Sequence, residues 1–384
     1  MADEKEKTVL NPSVGADGGQ PIPCTDTSIT DHPQDCNDEF SPEHIEKLLR
    51  EMKQANDPAN LPIVTMRELY ETVYQSRPPV IDGLLCSGTY LFAGAPKVGK
   101  SFLVAQLAYH VSTGQKLWEY DVRPGTVLYL ALEDDYQRLQ ERMFRMFGVE
   151  GTDKLHFATY AKQLGNGLDE QLDKFVREHP DTRLIIIDTL QKVREMGGEA
   201  YSYADDYQIV GRLKQFADRK GFCLLVVHHT RKQPSGDKFD MISGTNGLSG
   251  AADGAFLLQK EKRTDGTATL DVVGRDQQDQ RFYLTKDRER LTWTLERMEA
   301  EQWIELPDPV LEAVEALVVR DKSWSGTATE LVTALGVDIK PNKLTMRLNV
   351  NAGRLLNETS IKYESSRNHD GRFIQLMLVE KAGQ

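Results

Sequence analysis

The chain has 384 residues, 39% of them hydrophobic and 28% charged, enough to bury a full core and to divide into two domains with a tail. Its net charge of −12 argues against a uniformly basic nucleic-acid binder, but the charge is unevenly placed: residues 1–60 hold 13 acids and 5 bases, whereas 340–372 hold 7 bases and 3 acids. Apolar runs such as Leu184–Ile187 are too short to span a bilayer, the first residues lack a signal peptide's apolar stretch, and Cys24, Cys36, Cys86 and Cys223 show neither zinc nor C-x-x-C spacing; the expectation is a reduced, cytoplasmic protein without a membrane or structural metal site.

Residues 1–40, rich in Pro, Gly, Asp, Ser and Thr, are expected to be a disordered acidic tail. Ser41-Pro42-Glu43 is a helix start, and Ile45, Leu48, Leu49 and Met52 follow at helical spacing; a second short helix is expected over 65–75, so 41–79 reads as a helical segment. From about 80 the pattern alternates. Strands are expected at 89–93, 126–131, 154–159, 183–188 and 221–227, with helices at 100–113, 135–147, 168–178 and 204–220. Apolar strands separated by helices mean a parallel sheet covered on both faces. Beyond 253 the pattern changes to hairpins, with strands at 255–260, 267–274, 280–285 and 291–295, and Leu306-Pro307-Asp308-Pro309 closes a domain of 80–305.

Between the first strand and the first helix of that domain lies Gly94-Ala95-Pro96-Lys97-Val98-Gly99-Lys100-Ser101, which fits the P-loop pattern. In that motif backbone N–H groups cradle phosphates, the lysine reaches the terminal ones, and the hydroxyl ligates Mg²⁺. ATP and Mg²⁺ are the expected cofactors. Asp188, ending an apolar strand, stands where a Walker B metal acid belongs, although an Asp there is also a common helix cap. Of Glu133-Asp134-Asp135, at the end of another strand, Glu133 is the candidate for activating water and the two aspartates are candidate caps. His228 and His229, followed by Arg231, Lys232 and the glycine-rich stretch 243–250, look like a sensor that passes nucleotide state to a loop.

The series from the P-loop through Tyr129-Leu130-Ala131-Leu132-Glu133-Asp134, Ile187-Asp188-Thr189-Leu190, Val227-His228-His229-Thr230-Arg231-Lys232 and Ser243-Gly244-Thr245…Gly250-Ala251-Ala252-Asp253 resembles the RepA-type AAA ATPases. These are RecA-fold proteins related to the hexameric replicative helicases of plasmids and to DnaB. The resemblance covers roughly 80–300 in order and spacing. It implies a homo-oligomeric ring, expected to be a hexamer, that hydrolyses ATP at subunit interfaces with single-stranded DNA in its channel. It also implies Lys100 and Ser101 on phosphate and Mg²⁺, Glu133 as catalytic acid, Asp188 as Walker B acid, and His229 or His228 as sensor. The cation such proteins extend into a neighbour's site falls at Arg275, in Val272-Val273-Gly274-Arg275-Asp276; the second cation of the DnaB-like pattern is missing here, and a surface arginine is the alternative.

Residues 307–384 read as three helices and a hairpin, the order of a winged helix. One long third helix over 342–357 would present Lys343, Arg347 and Arg354, with Arg367 and Arg372 added by the hairpin, to single-stranded or duplex DNA. Such domains also serve protein contacts. The expected whole is an α/β protein: a RecA-like P-loop core, a C-terminal winged-helix domain and a disordered N-terminal tail. It would act as a ring-forming DNA helicase or helicase-like replication protein of a mobile element, the alternative being an ATP-switched DNA-binding regulator that unwinds nothing.

Overall fold

The computed structural model describes residues 59–61, 63–74, 78–194, 203–230, 239, 250–262, 264–275, 277–300, 307–368 and 371–379. The tail expected over 1–40 and the helix expected after Ser41 lie outside the described residues. The chain divides into two compact units, Met1–Thr65 and Met66–Gln384. Every helix and strand among the described residues belongs to the second.

In chain order that unit begins with α1 (Met66–Glu71), β1 (Gly88–Gly94), α2 (Lys100–Thr113), β2 (Thr126–Ala131), α3 (Tyr136–Phe147), β3 (Leu155–Ala158), α4 (Leu168–Glu178) and β4 (Thr182–Asp188). It continues with α5 (Leu190–Val193), α6 (Tyr203–Lys220), β5 (Cys223–His229), β6 (Gly254–Gln259), β7 (Thr267–Gly274), β8 (Gln277–Lys286) and β9 (Trp293–Ala300). These strands make one sheet in the order β3-β2-β4-β5-β1-β6-β7-β8-β9. From β3 to β6 all neighbours are parallel; from β6 to β9 they are antiparallel. The α/β reading holds, with a mixed rather than purely parallel sheet.

Burial explains the parallel half. β1 and β2 are buried at every position, because successive side chains serve opposite faces and both faces are covered. Tyr90 and Phe92 join Leu103, Val104 and Leu107 of α2 in one core cluster. Leu91 and Ala93 join Leu168 and Leu172 of α4 and Leu213 and Phe216 of α6 in the other. β1 thus sits at the centre, and the loop leaving it opens on the carboxyl edge of the sheet, where open α/β sheets place their ligands.

Within this part of the chain the last strand and the first helix differ from expectation. The strand expected at 291–295 starts at Trp293 and runs to Ala300. Leu291 instead takes φ 61° in the turn, where the Asp287 carboxylate accepts from the Glu289 and Arg290 amides. The helix expected over 65–75 covers only Met66–Glu71.

A second sheet and a separate core lie beyond Pro307. Here α7 (Pro309–Asp321), β10 (Ser323–Thr327), α8 (Ala328–Leu335), α9 (Pro341–Val350), α10 (Ala352–Thr359), β11 (Ile361–Asn368) and β12 (Gly371–Leu378) follow one another. The strands pair antiparallel in the order β10-β12-β11 over a core that includes Val314, Leu331, Leu348 and Ile374. Asp308 caps α7 through the Val310 and Leu311 amides, and Thr327 with Glu330 forms a capping box on α8.

The single helix expected over 342–357 is broken. Asn351 leaves helical geometry at φ −98°, ψ 13°, and its side-chain amide donates to Arg347 O at 2.8 Å, a local bond that competes with helix continuation. Lys343 and Arg347 therefore lie on α9 and Arg354 on α10.

Candidate nucleotide-binding site

The loop Gly94–Ser101 links β1 to α2, with Lys97 at φ 66° and Gly99 at φ 111°. Glycine is needed at both ends for close approach. A Cβ on Gly94 would stand 2.6 Å from Leu258 O, and one on Gly99 would stand 2.8 Å from the Trp293 ring. Ala95, Pro96 and Lys97 are exposed, while Val98 turns into the core.

Lys100 is only 6% exposed. Its ammonium donates to Gly94 O at 2.8 Å and Ala95 O at 3.1 Å, and lies 3.1 Å from His229 Nδ1. Burial lowers its pKa to about 8, against the pull of the Asp188 and Glu133 carboxylates. Since the ammonium only donates, His229 Nδ1 is the acceptor in that contact. Burial and the charge of Lys100 both hold His229 below the ordinary histidine range. His228 is pushed down to about 4 by burial, with Arg194 next in effect. Thr230 N donates at 3.4 Å to Gly94 O, the carbonyl that Lys100 also holds.

Asp188, 7% exposed, ends β4 on the same edge. Its Oδ2 accepts from Ser101 Oγ at 2.9 Å and from the Tyr129 hydroxyl at 3.0 Å. Burial raises its pKa, and the two hydroxyls oppose the rise by favouring the anion. Glu133 follows β2 and is exposed; its Oε1 accepts from Thr189 Oγ1 at 3.2 Å. The neighbouring acids are engaged elsewhere. Asp134 pairs with Arg142 at 2.6 Å and Arg138 at 3.0 Å, and Asp135 caps α3 through the Arg138 amide.

The structure thus brings Lys100, Ser101, Glu133, Asp188, His228 and His229 to one edge of the sheet. Arg275 is elsewhere. It follows β7, whose end pairs Gly274 with Gly254; its amide donates to Asp253 O, and the Asp253 amide donates to Thr89 O. Arg275 therefore sits at the opposite edge from its own P-loop, exposed, with Nη2 on Gly250 O at 2.8 Å. Arg231, Lys232 and 243–249 lie outside the described residues.

Several supporting residues escape a reading by motif. Tyr129 holds the Asp188 carboxylate from within β2. Gln106 of α2 makes paired bonds to the main chain of Trp293, at 2.9 Å to its carbonyl and 2.8 Å from its amide. Trp293 itself is fully buried and donates from Nε1 to Gly99 O at 3.4 Å. Lys286 adds a cation 3.8 Å from the centre of the Phe102 ring; burial first, then Lys260, Arg145 and Arg142, lowers its pKa. Each looks like an ordinary core or surface residue in sequence. Only the pairing of distant strands places them by the loop.

Of the five basic candidates beyond Pro307, three are engaged by neighbouring groups. Lys343 is exposed on α9. Arg347 pairs with Asp308 at 2.7 Å, and Arg354 pairs with Glu358 at 2.8 Å within α10. Arg367 lies on β11 opposite Arg372, and Arg372 donates to Glu71 O at 3.2 Å.

A family model described as an AAA domain matches residues 45–235. No curated protein matches the chain. Among solved structures, one isolated ATPase domain is similar at 14% identity and TM-score 0.46, covering 67% of this chain and 99% of that one. A DnaB-like replicative helicase, solved in a study of its interactions with primase, is similar at 15% identity and TM-score 0.47, covering 65% and 71%. A KaiC-like protein from the hyperthermophilic archaeon Pyrococcus horikoshii OT3 is similar at 13% identity and TM-score 0.41, covering 59% and 99%. Over residues 45–235 the chain matches an AAA domain model, in keeping with the RepA-type AAA ATPases that its motifs resemble.

Proposed function

We propose that the chain is a Mg²⁺-dependent ATPase that assembles into a ring and acts on DNA as a helicase-like replication protein of a mobile element. The observation that carries the reading is the contact of Ser101 Oγ with Asp188 Oδ2 at 2.9 Å, beside a buried Lys100 and within the reach of Glu133's charge. A hydroxyl and carboxylates are hard oxygen donors, the set that suits Mg²⁺ when phosphate oxygens complete its shell. Ser101 and Asp188 would hold the ion, which neutralises charge on the β- and γ-phosphates when bound.

Lys100 would exchange the carbonyls of Gly94 and Ala95 for phosphate oxygens. The amides of the loop and the first turn of α2 would receive the remaining negative charge. Glu133, with one oxygen on Thr189, would orient and deprotonate the attacking water. Release of Lys100 from Gly94 O and His229 would leave Thr230 alone on that carbonyl, so β5 would register whether phosphate is present. Arg275, remote from its own P-loop, would serve a neighbouring subunit. That placement supports hydrolysis at subunit interfaces.

The helix–strand–helices–hairpin order of 309–378 supports a winged helix, with α9 and the β11–β12 hairpin as its DNA-contacting parts. The test is ATP hydrolysis with and without single-stranded DNA, on wild type and Glu133→Gln. The near-isosteric amide should keep nucleotide binding, lose turnover and trap any ATP-dependent oligomer. Normal hydrolysis by Glu133→Gln, with Asp134→Asn inactive, would move the role to the other carboxylate. Strand separation by the assembled ring would exclude a regulator that binds DNA without unwinding it.

A further inference from the structure

Asn349 of α9 lies in the interior of the C-terminal domain, 2% exposed, where a side-chain amide must find partners. Its nitrogen donates to Tyr70 O and Glu71 O, each at 3.0 Å. Its oxygen accepts from the Tyr363 hydroxyl at 2.8 Å. The two carbonyls belong to the end of α1, where a helix has no donors of its own left. α9 therefore caps a helix that lies more than 270 residues away in the chain. Arg372 of β12 donates to the same Glu71 O at 3.2 Å and stands 4.0 Å from the Glu71 carboxylate. Val73 packs on the apolar core of the C-terminal domain, beside a cleft of about 480 Å³ that Gly353, Leu356, Tyr363 and Phe373 help to line.

The grip is strong in polar contacts and weak in area. No residue of α1 is buried, and Met66, Leu69, Tyr70 and Tyr74 are 66%, 43%, 40% and 57% exposed. A segment held by one valine and a few hydrogen bonds opens locally at low cost. Its far end is anchored differently. Shortly after Tyr74 the chain reaches Val80 and Ile81, both in the core beneath the large sheet, and Arg123 donates to Pro79 O at 2.8 Å.

We infer that segment 66–74 is a latch on the C-terminal domain: it docks on α9 and beside the β11–β12 hairpin, holds Arg372, and gives way when duplex DNA binds that face. The inference rests on the proposed role of α9 and the hairpin as a DNA contact. While Arg372 is bound to Glu71 it cannot also neutralise a phosphate, and affinity falls with the fraction of molecules in the undocked state. The chain would thus carry a competitor for its own DNA surface, joined to the ATPase core by a short connection.

The full-length chain with Val73→Asp tests this, since a carboxylate is expelled from an apolar cleft while every side chain of the C-terminal core stays intact. Glu71→Lys is a second variant, at an exposed position, that repels Arg372. Both should speed amide exchange over 66–74 and tighten duplex binding by about tenfold at fixed salt. Adding Arg372→Ala should cancel much of the gain and flatten the salt slope by about 0.9. Faster exchange with unchanged duplex affinity, in a protein whose binding still weakens on Lys343→Ala, would overturn the latch and leave the DNA contact standing. Unchanged exchange in both variants would show that the cleft does not hold the segment. Absence of duplex binding in wild type and both variants alike would remove the DNA contact and the latch together.

Discussion

Lys100 and Asp188 are 6% and 7% exposed, whereas the Arg347 and Arg354 side chains, also ion-paired, are 42% and 30% exposed. At the nucleotide edge, charge is held inside the protein by hydroxyls, carbonyls and one imidazole. In the C-terminal domain it is held at the surface by carboxylates of the same domain. The difference follows from desolvation. A buried charge is tolerated only where its partners are fixed, so its surroundings are built around it, while an exposed pair contributes little and is readily exchanged. The first region should therefore respond to single substitutions far more sharply than the second.

Lys100→Ala should show the largest effect, lowering ATP turnover by at least about a hundredfold, since alanine supplies no charge at the terminal phosphates. Urea unfolding of the same protein should not be weakened, because the change also removes a buried charge. A large loss of stability would instead make Lys100 a structural tether as well as a phosphate ligand.

Trp293→Ala should cost about 3–5 kcal/mol in denaturant titration, through the cavity it leaves against Gly99. Trp293→Phe should cost much less and separate packing from the indole bond to Gly99 O. Arg275→Ala should reduce turnover by about tenfold or more with ATP affinity little changed, as expected of a cation that acts on transition-state charge. Mixing it with Lys100→Ala protein should restore activity at mixed interfaces, measured over a range of ratios. No rescue at any ratio would return Arg275 to a surface role.

The smallest effects belong to the C-terminal domain and sharpen the comparison within it. Arg347→Ala should destabilise by less than about 1 kcal/mol, from loss of the Asp308 pair. Lys343→Ala should leave stability unchanged and flatten the salt dependence of duplex binding by about 0.9. Equal effects of the two on DNA would mean that the Asp308 pair opens on binding.

Much of this architecture is legible in the sequence because the parallel strands are buried on both faces and leave unbroken apolar runs: 126–131 and 100–113 match β2 and α2 in full. The P-loop and the acids at strand ends are legible for a related reason, since their chemistry tolerates few residue types. β10 is hidden because Ser323-Trp324-Ser325-Gly326-Thr327 has no apolar pattern and is a strand only through its pairing with β12. The break at Asn351 is hidden because the apolar spacing of Leu344, Leu348 and Leu355 continues across it. Tyr129, Gln106 and Trp293 are invisible as site residues because their partners lie 59 to 194 residues away.

Trp293 also gives the protein an optical reporter. An indole buried at 0% exposure and bonded through its ring N–H to the carbonyl of Gly99 is expected to emit at a wavelength that responds to a shift of that peptide group. Trp118 donates to the Trp293 carbonyl at 2.8 Å, so two of the chain's four tryptophans lie along the same path. Any rearrangement of the glycine loop on nucleotide binding should be readable in the native protein as a shift in tryptophan fluorescence, without a label, and Trp293→Phe should silence it.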